Sequence, residues 1–218
     1  MELFKGKAVS DSIGEYMKFE IDYLRENGVT PKLLIIRVGE REDDVAYEGG
    51  IKKKFASLGI EVETKALEKS CDTEDVVRAV EAANADTGVH GVIIMRPLPK
   101  YIDDAAVCAA LSPDKDVDGI TDKSLAGVFA GKEDGFSPCT ARACIEILDY
   151  YGVELTGKRV AVIGRSLVVG KPVAMMLIKR NATVTVCHTK TTDIKEICKQ
   201  SDIIIAAAGA PKMVDKSF

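Results

Sequence analysis

A chain of 218 residues and 23.5 kDa, 46% hydrophobic and 29% charged, carries enough apolar content for a real core, in one large domain or two modest ones. Its net charge of −4 and pI near 5.4 exclude a dedicated nucleic-acid or anionic-membrane surface, which needs clustered Lys and Arg in excess, and the short Lys52-Lys53-Lys54 run does not alter that. No apolar run approaches the ~20 residues of a membrane span, the opening six residues lack the apolar stretch of a leader, and six scattered cysteines without C-x-x-C pairs exclude the common zinc patterns, so a cytoplasmic protein with reduced thiols and no metal is expected.

In chain order, Ser10 to Glu26 places Ile13, Met17, Ile21 and Leu24 at helical spacing, and Asn27-Gly28 is a stop. Lys32 to Val38 reads as a buried strand ended by Gly39. A helix from about Asp44 to Leu58, stopped by Gly59, leads into Ile60 to Ala66, whose alternation predicts a strand with one wet face. A helix from Thr73 to about Asn84 then precedes the strand Gly91 to Met95. Such alternation predicts a parallel sheet with right-handed crossovers. The polar, glycine- and proline-bearing interval Ser112 to Thr140 separates this β-α-β run from a second. That run comprises a helix Ala141 to Tyr150, strands at Val160 to Ile163 and Asn181 to His188, and a third strand Asp202 to Ala208. The expected fold is α/β, with two domains, 1–140 and 141–218, flanking a cleft.

The second run holds the most informative stretch. A β-branched strand, Val160 to Ile163, passes through Gly164-Arg-Ser-Leu-Val-Val-Gly170 into a helix with Pro172 near its start. A loop of this kind presents backbone N–H groups and the positive end of a helix dipole to an anion, and proline there gives up only an N–H that has no helical partner. The spacing differs from G-x-G-x-x-G, so the loop is a relative of the dinucleotide fingerprint. About 20 residues on, where an NAD site places an acidic residue for the ribose hydroxyl, stand His188, Thr189 and Lys190, with Arg165 in the loop. Donors and positive charge in that place favour a 2′-phosphate, hence NADP.

Six segments in order together resemble the bifunctional methylenetetrahydrofolate dehydrogenase/cyclohydrolase family. They are Val38-Gly39 with Tyr47 on the next helix, Pro97-Leu98-Pro99, Pro113-Asp-Lys-Asp-Val-Asp-Gly119, Pro138-Cys-Thr140, Gly164 to Pro172, and Cys187-His-Thr-Lys190. The resemblance spans essentially the whole chain. It implies a folate-binding, catalytic domain at 1–140 and a Rossmann-like NADP-binding domain with a parallel sheet at 141–218, a tetrahydrofolate derivative as substrate, and a homodimer. It also implies that Asp118 grips the pterin edge and Tyr47 stacks on the aminobenzoyl ring, with Ile51, Met95 and Pro97 lining the folate pocket. Gly164, Arg165, Ser166, Gly170, His188 and Thr189 are then the cofactor residues, and Lys52, Tyr47 and Asp118 the catalytic set.

Three departures from the family pattern stand out. The family's lysine, four residues after the tyrosine, is here Ile51, with Lys52 next; one residue of register rotates a side chain by about 100° on a helix. A turn distorted at Gly49-Gly50 brings Lys52 beside Tyr47, whereas a regular helix turns Ile51 to the pocket and leaves Lys52 to Lys54 as a solvated face. The glutamine before Pro-Leu-Pro is replaced by Met95, followed by Arg96. The chain also lacks the family's later glycine-rich segment and helix, so a truncated member is expected. A dehydrogenase of another small metabolite and a silent folate- or nucleotide-binding protein are the competing readings.

Overall fold

The computed structural model describes residues 3–132, 134–210 and 212–218; Met1 and Glu2, which open the segment inspected for a leader, lie outside the described residues. The chain divides into two compact units, 7–122 and 123–218, the latter joined by residues 1–6. Phe4 explains the last point: its ring stacks on Tyr151 with centroids 4.1 Å apart, and the Lys5 amide donates to the Tyr151 hydroxyl at 2.9 Å.

In the first unit α1 (Gly6–Glu26) precedes β1 (Lys32–Val38), α2 (Glu42–Leu58), β2 (Glu61–Leu67), α3 (Thr73–Ala85), β3 (Gly91–Ile94) and α4 (Asp104–Ala110). The strands are parallel in the order β2-β1-β3, with Leu33 opposite both Val62 and Gly91. Leu33 and Ile35 on one face of β1 pack with Ile51, Phe55 and Met95, while Leu34, Ile36 and Val38 on the other pack with Val76 and Val80 of α3 and Val107 of α4. That alternation follows from the period of two in a strand. Local signals hold at the ends: Gly59 stops α2 in the left-handed conformation at φ 79, and Asp72 with Asp75 form a capping box that starts α3. The expected face of α1 holds at Ile21 and not at Ile13 or Leu24. Val9, Gly14 and Ile21 are buried, whereas Ile13 and Leu24 are exposed, because Gly14 provides the flat surface on which Leu58 of α2 and the Lys54 stem pack.

The second unit carries α5 (Asp122–Ala130), α6 (Cys139–Tyr150), β4 (Arg159–Ile163), α7 (Gly170–Lys179), β5 (Thr183–Cys187), α8 (Ile194–Lys199) and β6 (Ile203–Ala206). Its sheet is again parallel, in the order β5-β4-β6. Val160 and Val162 meet α6 and α7, while Ala161 and Ile163 meet α8. Both sheets are therefore parallel with helices on both faces, as the alternation of elements required. α4, α5 and α8 were not foreseen. Each is short, and α5 lies inside the interval read as a polar boundary. Among the described residues no helix is long and apolar enough to cross a membrane, and no group of three or more His, Cys, Asp or Glu side chains is placed to hold a metal.

Candidate active site

In an open parallel sheet, ligands bind beyond the carboxyl ends of the strands where the strand order reverses. Each unit has one such point, beside its central strand: between the loops after β1 and β3 in the first, and between those after β4 and β6 in the second.

The first point gathers the residues expected to bind folate. The Met95 amide donates to the Ile36 carbonyl at 2.9 Å, extending the β1–β3 ladder, and Pro97 follows a cis Arg96–Pro97 bond. Arg41, at the start of α2, donates from Nη1 to the Pro97 carbonyl at 3.3 Å, so the two loops are tied together. Asp118 is brought to the same end by stitching of its loop onto β3: the Val92 amide donates to the Lys115 carbonyl at 2.8 Å, and Val92 pairs with Asp116. Asp116 itself is fully buried. Its carboxylate accepts from the Ile120 and Thr121 amides at 2.9 and 2.8 Å, closing the turn that holds Asp118 half-buried. Sequence reasoning passed over Asp116, although a carboxylate two residues before Asp118 in a glycine-ended loop is a recognisable turn signal.

α2 presents Tyr47 outward, with 61% of the residue exposed. One turn on, Ile51 is buried in the apolar cluster with Leu33, Ile35 and Met95. Those two departures from the family pattern therefore pack in one cluster. The proposed distortion at Gly49-Gly50 is absent: α2 runs unbroken from Glu42 to Leu58, with open space where a side chain on either glycine would stand. Lys52 is accordingly turned away from the Ile51 position. Its Nζ donates to Glu48 Oε1 at 2.5 Å, the i,i+4 neighbour. Glu48 also accepts from Thr64 Oγ1 at 2.7 Å and, on Oε2, from Arg37 Nε at 2.9 Å. Burial by itself raises the pKa of this carboxyl, but the donors Lys52, Thr64 and Arg37 outweigh it and lower the value from 4.5 to about 2. Lys54, read as part of a solvated face, instead reaches the Ser10 carbonyl at 3.3 Å and Asp11 at 3.9 Å.

The second point is the glycine loop. The Gly164 amide donates to the Cys187 carbonyl at 2.8 Å, so the end of β5 with His188 and Thr189 lies beside the loop's first residue. A Cβ on Gly164 would stand 2.5 Å from the Ala207 carbonyl oxygen, and one on Gly170 would stand 2.2 Å from the Gly164 carbonyl oxygen. Both glycines are thus required by close backbone approach. Ser166 closes the turn, its hydroxyl accepting from the Val169 amide at 3.1 Å and its carbonyl from the Lys171 amide at 3.0 Å. Gly170 then opens α7, with Pro172 two residues in, so the positive helix end faces the loop. Arg165 is exposed and forms no ion pair among the described residues. His188 Nδ1 accepts from the Lys190 amide at 3.1 Å, so a neutral ring carries its proton on Nε2, a donor. This donor set suits a dinucleotide bearing a 2′-phosphate.

Two domain families match the chain: the tetrahydrofolate dehydrogenase/cyclohydrolase catalytic domain over residues 4–118, and the NAD(P)-binding domain of the same enzymes over residues 138–218. The bifunctional protein FolD of Alkaliphilus oremlandii is 42% identical over 216 residues, 99% of this chain and 76% of its own length. That of Clostridioides difficile is 42% identical over 217 residues, 100% of this chain and 76% of its own length. Among solved structures, the bifunctional FolD methylenetetrahydrofolate dehydrogenase/cyclohydrolase from Campylobacter jejuni matches with a TM-score of 0.97 at 33% identity, over 100% of this chain and 77% of that one. The Trypanosoma brucei enzyme, complexed with NADP cofactor and inhibitor, matches with a TM-score of 0.91 at 34% identity, over 96% of this chain and 72% of that one.

Proposed function

Because the chain belongs to the tetrahydrofolate dehydrogenase/cyclohydrolase family, we propose that residues 1–140 bind and orient the folate and residues 141–218 bind NADP. The chain is an NADP-dependent methylenetetrahydrofolate dehydrogenase of one-carbon metabolism. It converts 5,10-methylenetetrahydrofolate to 5,10-methenyltetrahydrofolate, the species that the cyclohydrolase reaction hydrolyses to 10-formyltetrahydrofolate. NADP, when bound, supplies the acceptor for the hydride.

Removing that hydride leaves a cation delocalised over two nitrogens, so the residues of this chain have mainly to position the folate. Asp118 is assigned the amino-pyrimidine edge, where a carboxylate meets paired N–H donors, and the exposed Tyr47 ring the aminobenzoyl group. Ile51, Met95 and Pro97 line that pocket. Gly164 and Gly170 let the backbone approach the pyrophosphate. Ser166, His188 and Thr189 offer donors, and Arg165 takes the 2′-phosphate. The observation that carries the nucleotide assignment is the close backbone approach at Gly164 and Gly170.

Lys52 is assigned the proton transfer of the hydrolysis step, which requires it to leave Glu48. A second reading, favoured by the unbroken α2 helix and the burial of Ile51 with Met95, is that α2 delivers no ammonium to the folate and the chain performs the dehydrogenase step alone. Assaying the two steps separately on Lys52→Met decides. If Lys52 relays the proton, hydrolysis falls by about 10²–10⁴-fold with hydride transfer little changed. An unchanged hydrolysis rate removes Lys52 from the mechanism, and a wild-type rate no faster than buffer makes the chain a dehydrogenase only. NADPH formation dependent on methylenetetrahydrofolate tests the function as a whole. A homodimer in the cytoplasm is the remaining part of the proposal, supported by family membership and by the prevalence of closed two-fold assemblies.

A further inference from the structure

We propose that Arg41 and Tyr101 are positioning residues for the folate: they clasp residues 97–103 across the carboxyl edge of the first sheet and thereby fix Pro97 at the pocket. This rests on the reading of Pro97 as a residue of the folate pocket.

β1 is the central strand of that sheet, with β2 on one side and β3 on the other. Residues 97–103 follow β3, yet they end against the loop after β2 and the start of α3. The Tyr101 hydroxyl donates to the Lys69 carbonyl, and the Asp103 amide donates to Thr73 Oγ1 at 2.9 Å. At the other end of the segment Arg41, in the loop after β1, holds the Pro97 carbonyl at 3.3 Å. The segment therefore crosses the carboxyl end of β1, the point where the strand order reverses and a ligand is expected.

Two kinds of contact hold this strap. Its inner side is apolar: Ile102 is 5% exposed, and Leu98 packs against the cluster that contains Val76, Val80 and Val107. Its outer rim is tied by polar groups. Tyr101 is 56% exposed, as is 48% of the Arg41 side chain, so neither owes its place to apolar burial. Arg41 is aimed from behind, since Nη2 donates to Oδ1 of Asp44, buried on α2, at 2.7 Å while Nη1 reaches Pro97. Both nitrogens belong to one planar guanidinium, so the buried carboxylate sets the direction in which the other one points. Pro97 and Pro99 have fixed φ, which limits the torsions through which the strap could absorb a shift at either clasp. Arg41 and Tyr101 thus act on the folate through Pro97.

Hydrogen exchange and steady-state kinetics on the full chain test this. Arg41→Ala and Tyr101→Phe are expected to speed amide exchange at residues 98–102 in the free protein, with residues 160–177 unchanged. At saturating NADP each raises KM for methylenetetrahydrofolate about three- to tenfold, the loss that goes with one hydrogen bond, while kcat stays within about threefold and KM for NADP is unchanged. Arg41→Lys, which keeps the charge and a donor, recovers at least half of that loss. Tyr101→Phe removes a single oxygen from an exposed side chain, so it carries the test should Arg41→Ala fail to fold. A raised folate KM without faster exchange puts these side chains in direct contact with the substrate and overturns the proposal. So does a normal folate KM in both variants when Pro97→Ala alone raises it, and so do equal rises in the KM values for folate and NADP. A Pro97→Ala enzyme with normal KM instead defeats the underlying reading of Pro97, and the role of the clasp with it.

Discussion

Gly170 has no room for a side chain, since a Cβ there would stand 2.2 Å from the Gly164 carbonyl oxygen and 2.8 Å from the Arg165 amide nitrogen. Gly170→Ala has to push the loop off the start of α7. A stability loss of about 1–3 kcal/mol is expected, the range of overpacked sites, together with loss of NADP affinity. Gly49→Ala is the contrasting substitution. Its Cβ meets nothing within 4 Å in the middle of α2, so a gain of about 0.5–1 kcal/mol is expected from the helix preference alone. Calorimetry on the two variants checks both signs. On the proposed assignment of Arg165 to the 2′-phosphate, Arg165→Ala should weaken NADP binding by about 1.5–3 kcal/mol and leave NAD binding nearly unchanged, because NAD lacks the group that would make the charge-assisted contact. Equal losses for both nucleotides in a titration would count against that assignment.

α2 is fastened to the sheet by charge as much as by apolar packing. Asp44, Glu48, Ile51 and Leu58 form its buried stripe, and Glu48 bonds Arg37 on β1, Thr64 on β2 and Lys52 on its own helix. With the folded pKa lowered to about 2, the stabilisation is present above the unfolded carboxyl pKa near 4.3 and is lost as pH falls through about 2. Glu48→Gln should therefore cost roughly 3 kcal/mol at neutral pH. Urea unfolding at pH 6 and pH 3 should show the gap between wild type and variant narrowing by about half, since the wild type loses this contribution across that window. A gap independent of pH would mean that Glu48 acts by shape alone.

For the whole molecule, each unit has its own sheet with helices on both faces and its own apolar clusters, so nucleotide binding is expected to stabilise the unit that holds β4 and α7. NADP at a hundred times its Kd should add about 2.7 kcal/mol to that unit, and hydrogen exchange should slow at residues 160–177 ahead of residues 33–58. Uniform protection across both units would tie them into one cooperative block. Light scattering at micromolar concentration should give twice the 23.5 kDa chain mass if the proposed dimer forms, and a mass of one chain would remove it.

Both parallel sheets, the stops at Gly39 and Gly59, the glycine loop and the absence of a carboxylate after Val186 were legible in the sequence, because strand period, glycine conformation and loop composition act over a few residues. The residues proposed to bind folate were legible only through their resemblance to a family. What the tertiary structure alone decided lies wherever a polar group is buried. Asp44 and Glu48 count as polar in any periodicity, yet they face inward, because Arg41, Arg37 and Thr64 supply partners, two of them from neighbouring strands. The same holds for Asp116, which is fully buried and accepts from backbone amides four and five residues on. Ile51 shows the reverse case, a residue whose surroundings became apolar once Met95 packed beside it on a regular helix. Burying a charge is favourable only with its partner in place, and the partner is chosen by the fold.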